Sequence, residues 1–186
     1  MKDALKLGVI LFLITGISVG ILGTVNQVTT PIIEKNTKQA ELEAMQQLIS
    51  EANEFPEVEA VTDELVKKVF LAKKGDETIG YVLRVEPKGY GGAIGLLVGI
   101  DANSIVKGVK VLEHSETPGF GANASDPSFI DQYIGKGGNL TVVKIAPGEN
   151  EIQAITGATI TSSAITSGIN EAINYVGAHQ AEWRDQ

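Results

Sequence analysis

Three short stretches hold residues whose types and spacing could do chemistry. Thr156-Gly157-Ala158-Thr159-Ile160-Thr161-Ser162-Ser163 crowds hydroxyls ahead of an apolar-periodic C-terminal segment. First-turn amides of a helix lack internal partners and the dipole adds partial positive charge, so hydroxyls at that mouth suit a phosphate. Plain N-capping by Thr161 or Ser162 would use the same residues with no ligand. In His114-Ser115-Glu116-Thr117-Pro118-Gly119-Phe120-Gly121, proline fixes one φ angle and the glycines permit positive φ, giving a shaped loop. His114 and Glu116 could form an acid–base pair, although one His and one Glu in a loop make a weak signal. Gly89-Tyr90-Gly91-Gly92 runs into a strand-like segment, so it is no dinucleotide fingerprint, which needs a following helix. It is either a bend between strands or backbone lying against a flat ligand that side chains would obstruct.

Strand-like runs and helices must position these stretches. Val66–Lys73 and Thr78–Glu86 flank Lys74-Gly75-Asp76-Glu77, a hairpin signal. Ile94–Ile100 and Ile105–Leu112 flank Asp101-Ala102-Asn103-Ser104, a second turn. Ser128–Ile134 reads as a short helix entered from Asp126-Pro127, and Leu140–Ile145 as another strand. Over Ser162–Trp183, Ala164, Ile165, Ile169, Ala172, Ile173 and Val176 share one helical stripe. Antiparallel strands with helices at the margins predict an α+β domain.

The N-terminal part has a different character. Leu7–Val25 contains no charge over nineteen residues. At about 1.5 Å rise per residue, that run nearly matches a hydrocarbon layer of roughly 30 Å. It exceeds a signal-peptide core of about 7–15 residues and no A-x-A site follows, so an uncleaved anchor is expected. Lys2 and Lys6 flank its short side, which predicts a cytoplasmic N-terminus and an outer location for everything beyond. Gly16, Gly20 and Thr24 fall on one stripe that could admit another helix, or merely reflect how common glycine is in such spans. Thr29-Thr30-Pro31 predicts a helix start, with a juxtamembrane helix from Pro31 to about Glu51 and an acidic loop over Glu51–Asp63. The expected organisation is therefore anchor over 1–28, juxtamembrane helix and loop over 29–63, and one domain over 64–186.

Composition narrows the chemistry. The 186 residues include no cysteine and two histidines, which excludes disulfides, thiol catalysis and iron–sulfur ligation by this chain. A His-rich metal centre is not expected either. The net charge is −8; Lys2, Asp3 and Lys6 contribute +1, leaving −9 beyond them, so nucleic acid is not an expected partner.

The three stretches together resemble a known family. TGATITS is similar to the [S/T]-G-A-[S/T] motif of the covalent FMN-binding domain, and HSETPGFG to its HxETPG-hydrophobic-G loop. The order GYGGAIGLLVGID, ETPG loop, TGAT and terminal helix behind an anchor also fits. The chain most resembles the Rnf-type branch, with the sodium-pumping NADH:quinone reductase branch as a close relative. The resemblance implies FMN joined through its phosphate to Thr159. Thr156, Gly157, Ala158, Thr161 and Ser162 would surround the phosphate, while Glu116, Thr117, Gly119, Tyr90 and Gly91 would lie near the ring. It further implies maturation by a separate flavin transferase that uses FAD and a divalent metal. The role implied is electron transfer among partner subunits of a membrane complex that moves Na+ or H+, rather than self-contained catalysis. A stand-alone extracellular flavoprotein reductase and a non-redox surface protein are the rival readings. One departure is Gln153, where the family usually carries an acidic residue three positions before the motif; Glu151 stands two residues earlier.

Overall fold

The computed structural model describes residues 2–58 and 64–183, and the chain divides into two compact units, Met1–Glu41 and Leu42–Gln186. The first helix, α1, spans Lys2–Leu48 and is long and apolar enough to cross a bilayer. It runs straight through Pro31, where a helix start was expected. Pro31 removes one backbone donor. Thr29 and Thr30, however, are not caps: their hydroxyls donate backward to the carbonyls of Val25 (2.6 Å) and Asn26 (2.7 Å). The carbonyl that Pro31 leaves without its helical donor is that of Gln27, inside a continuous helix. Residues 59–63 of the expected acidic loop lie outside the described residues.

In the second unit, five strands form an antiparallel meander in the order β1 (Glu57–Val58), β2 (Val66–Lys74), β3 (Glu77–Val85), β4 (Gly95–Asp101) and β5 (Val106–Glu113). The β2–β3 and β4–β5 pairs match the two hairpins read from the turn residues, whereas β1 is too short to carry a pattern of its own. Two faces are covered. On one, Leu71, Leu83, Leu96, Val98 and Ile100 pack with Ile165, Ile169 and Ile173 of the C-terminal helix α3 (Thr159–Trp183). On the other, Phe70, Ala72, Val82 and Leu97 pack with Ala44, Met45 and Ile49 at the end of α1. Burial on both faces explains why β4 and the middle of β3 read as continuous apolar runs rather than alternating ones.

Glycines make room for that second layer. Gly99 and Gly108 are cross-strand partners on β4 and β5. A Cβ on Gly99 would lie 3.0 Å from Leu48 Cβ, and one on Gly108 would lie 2.8 Å from Leu48 Cδ2. The pair is thus a shallow seat for Leu48.

The segment between β5 and α3 is irregular. A 3-10 turn (Gly121–Ser125), the one-turn helix α2 (Pro127–Ile130) and a second 3-10 turn (Asp131–Tyr133) replace the single helix expected over Ser128–Ile134. A parallel pair follows, β6 (Thr141–Val143) with β7 (Glu151–Gln153). Side-chain amides serve it as extra backbone. Asn170 of α3 accepts from Leu140 N–H (2.9 Å) and donates to Leu140 C=O (2.8 Å). Gln132 accepts from Gln153 N–H (2.8 Å). At the start of β5, Val106 N–H donates to Lys136 C=O (2.9 Å) and Gly135 N–H to Val106 C=O (2.8 Å).

Substituting Gly99→Val should overfill the Leu48 seat. The expected loss is about 1–3 kcal/mol of stability, read by denaturant unfolding of the full chain in detergent and followed by circular dichroism.

Candidate functional site

The last helix starts three residues before the expected Ser162, so Thr159 is its first residue rather than part of a preceding loop. The turn that launches it is closed by Ala158 N–H to Ile155 C=O (2.9 Å), with Gly157 at φ +78°. A side chain there would be strained, and its Cβ would also sit 2.8 Å from Phe120 Cδ1. Ser162 locks the turn from within: its hydroxyl accepts from Ile155 N–H (3.0 Å) and donates to Ala158 C=O (2.9 Å). Within the helix, Ser162 N–H is the first amide to reach an i−4 carbonyl, that of Ala158 (3.0 Å). The N–H groups of Thr159, Ile160 and Thr161 therefore stand at the open helix mouth. Below them, Thr166 donates to Ser162 C=O (2.9 Å), which leaves the Tyr133 hydroxyl to donate to Thr166 (2.8 Å). Burial pushes the Tyr133 phenol up from its ordinary pKa, so it stays a neutral donor at physiological pH.

The 114–121 loop forms the facing wall. Phe120 N–H and Ala122 N–H both donate to Thr117 C=O (3.2 Å each), and Pro118-Gly119 occupies the corner with Gly119 at φ +78°. Proline followed by a positive-φ glycine is the signature of a type II turn. The Gly89–Gly92 bend folds back on itself through Gly89 N–H to Gly92 C=O (2.7 Å). It then lies so close to the loop that a Cβ on Gly91 would be 2.1 Å from Ser115 O.

Glu116 joins the pieces. It is 6% exposed, and its carboxylate accepts from Gly91 N–H (2.8 Å) through Oε1 and from the Thr161 hydroxyl (2.5 Å) through Oε2. His114 does not pair with that carboxylate; its Nδ1 accepts the Glu116 backbone N–H (3.3 Å).

Between the walls is an open cleft of ≈ 520 Å³ lined by Tyr90, Glu116, Thr117, Phe120, Gly121 and residues 157–161. Its mouth is apolar and wet at once: Tyr90, Phe120 and Ile160 are 72%, 53% and 58% exposed. Exposed large apolar groups around a concavity mark a place that binds something. Of the residues picked out from the sequence, Tyr90, Glu116, Thr117, Gly157, Ala158, Thr159 and Thr161 line the cleft. Gly91 supports it through Glu116, and Ser162 through the launching turn. Gly119 shapes the corner of the loop, and Thr156 is exposed just before Gly157. Phe120, Gly121 and Ile160 also line it and were not singled out; for Phe120 the available signal was an aromatic between two glycines in a turn.

An FMN group suits these residues. A flat ring could lie against Tyr90 and Phe120 beside glycine-rich backbone, and the amides at the helix mouth could take a phosphate.

Gly91→Ala should break the Gly91–Glu116 bond and cost about 2 kcal/mol or more, since a backbone oxygen blocks the methyl. Gly177→Ala, in α3 with nothing within 4 Å of its added Cβ, should instead gain up to about 1 kcal/mol. Unfolding of the full-length variants side by side checks both signs.

Comparison with known proteins identifies the family. Residues 89–174 match the family model of the FMN-binding domain, and residues 1–48 match that of the RnfG N-terminal region. The chain is 41% identical to the G subunit of the proton-translocating ferredoxin:NAD(+) oxidoreductase complex of Clostridium ljungdahlii, over 84% of this chain and 82% of that one. It is 38% identical to the G subunit of the Na(+)-translocating ferredoxin:NAD(+) oxidoreductase complex of Acetobacterium woodii, over 92% and 91%. The crystal structure of NqrC from Shewanella oneidensis has the same fold, with TM-score 0.52 and 20% identity over 66% of this chain and 72% of that one. The open cleft built on a helix mouth, behind an apolar helix, thus sits in a chain that matches these relatives over most of its length, and the chain belongs to the family of G subunits of Rnf ion-translocating oxidoreductase complexes, with that family's FMN-binding domain.

Proposed function

We propose that this chain is the membrane-anchored electron-transfer subunit of an Rnf-type ferredoxin:NAD+ oxidoreductase coupled to Na+ or H+ translocation, with FMN linked through its phosphate to Thr159. The observation that carries the covalent form is the charge of the cleft. None of its described lining residues is Lys or Arg, and one is the buried carboxylate of Glu116. A free FMN phosphate, close to a dianion at neutral pH, would have only the partial charge of a helix mouth to balance it. Esterified to a threonine it keeps one negative charge, which open amides can match. Thr159 is first in the helix and, of the exposed hydroxyl residues Thr156, Thr159 and Ser163, the one that lines the cleft.

The linkage balances as a phosphoryl transfer from FAD. Thr159 Oγ bonds to the riboflavin-side phosphorus, the bond from that phosphorus to the AMP oxygen breaks, AMP leaves, and the hydroxyl proton passes to base. A threonine hydroxyl is too weakly acidic to do this unaided, so a flavin transferase with a divalent metal is the maturation partner. Bound FMN supplies reversible electron acceptance; the chain's own residues orient it and exclude water from part of it. Tyr90, Phe120, Thr117 and Gly121 would hold the ring, and residues 157–161 would hold the phosphate. Because the cleft is open, a partner subunit can approach the cofactor without moving the domain's core. Lys2 and Lys6 support a cytoplasmic N-terminus, which puts the domain on the outer face of the membrane.

Mass spectrometry of the peptide containing Thr159, from cells that also make a flavin transferase, should show FMN less one water, absent in Thr159→Val. An unmodified Thr159 in working complex would refute the linkage. Topology has its own test, since the chain has no cysteine. A membrane-impermeant maleimide should label Asp76→Cys at the exposed β2–β3 turn in intact cells, and labelling only after lysis would overturn the orientation.

A further inference from the structure

The segment 156–163 offers five hydroxyls, yet the proposed linkage uses one, and the surroundings of Glu116 bear on that choice. Its two carboxylate oxygens hold groups from opposite walls of the cleft: the Gly91 amide on the ring side and the Thr161 hydroxyl in the first turn of α3. Backbone is packed around it without side chains. A Cβ on Gly89 would lie 2.4 Å from Oε1, one on Gly121 2.4 Å from Oε2, and one on Gly91 3.2 Å from Glu116 Cα. Three of the glycines in the 89–92 and 114–121 stretches therefore serve one carboxylate. Thr161 is 1% exposed while so held, and Ser162 is fully buried with its hydroxyl committed to the launching turn. Of the three exposed hydroxyls, those of Thr156, Thr159 and Ser163, the one on a residue lining the cleft is Thr159, with no side-chain bond of its own among the described residues.

We propose that Glu116 is the positioning residue of the cofactor site: by tying Gly91 to Thr161 it fixes the first turn of α3 against the ring-side wall and presents Thr159 as the acceptor hydroxyl. The inference rests on the Thr159 reading above. It assigns Glu116 no contact with the phosphate and no proton transfer. Its action is geometric, and a misplaced acceptor slows a transfer steeply even when every reacting group remains. Charge is not the agent. A glutamine at 116 can still accept from Gly91 through its oxygen and donate to Thr161 through its amide.

The test is the rate of flavin incorporation at Thr159, read by peptide mass spectrometry. Full-length chain in detergent is incubated with FAD, Mg2+ and a flavin transferase. Glu116→Ala and Thr161→Val should each slow incorporation about tenfold or more, and the double variant should be no slower than the slower single, because both remove the same bond. Thr161→Ser and Glu116→Gln should recover most of the rate. Ile173→Ala, a core truncation that lines no part of the cleft, sets the control: it should lower the melting temperature and leave the rate alone. Should Glu116→Ala fail to fold, as its melting curve would show, Thr161→Val against Thr161→Ser decides the matter. Wild-type rates in Thr161→Val would overturn the positioning role alone, as would equal slowing in Glu116→Gln and Glu116→Ala. No incorporation into the wild-type chain would overturn the Thr159 reading and this inference with it.

Discussion

Burying a carboxylate costs several kcal/mol unless donors come to meet it, and around Glu116 the donors come from chain segments 25 and 45 residues away. That requirement organises much of the domain. Gly91 must approach to hydrogen-bond distance, so the bend at 89–92 dispenses with side chains where it meets the loop. Thr161 must point inward, so α3 has to begin by Thr159 and cannot start at Ser162 as plain capping would have it. The turn before the helix must then reverse tightly at Gly157, with Phe120 lying over it. The cleft is the space left once these conditions are met. Each of its walls is fastened to the other and not only to the strand or helix that carries it.

What the sequence made legible follows the range of the forces involved. The β2–β3 and β4–β5 hairpins, the spanning helix and the apolar stripe of α3 rest on neighbours a few residues apart, and each is visible in local periodicity. The three chemical stretches were legible because glycine, proline and clustered hydroxyls are costly unless used. Their convergence was not, since nothing local states that Glu116 meets Thr161. The same holds for the misread helix start at Pro31. Proline usually marks a boundary, but here it lies inside one continuous apolar helix. β1 and β7, of two and three residues, exist only through their partners. The departure at Gln153 also looks different in place. Its backbone N–H is taken by Gln132 while the side chain is exposed on β7, so the substitution alters what a visiting enzyme meets and leaves the cleft untouched.

The sheet itself mediates between two layers of different origin. α3 covers one face and supplies the helix mouth; the end of α1 covers the other and seats Leu48 over Gly99 and Gly108. The central strand β4 is hydrophobic throughout because both of its faces are covered. A soluble domain trimmed to begin after α1 would expose Phe70, Ala72, Val82 and Leu97 together, a contiguous apolar patch of the kind that drives association. The last turns of α1 thus belong to the folding unit, whatever the rest of that helix does in the bilayer.

The amide clamps on the small parallel pair have a further consequence. Strand edges are templates on which foreign backbone can crystallise into extended sheet, and a protein crowded against neighbours at a membrane surface is exposed to that hazard. Here β1 offers only two residues, the opening of β5 is already bonded to residues 135–136, and the backbone at Leu140 and Gln153 is occupied by Asn170 and Gln132. Little unpaired main chain is left at those points to recruit a stranger.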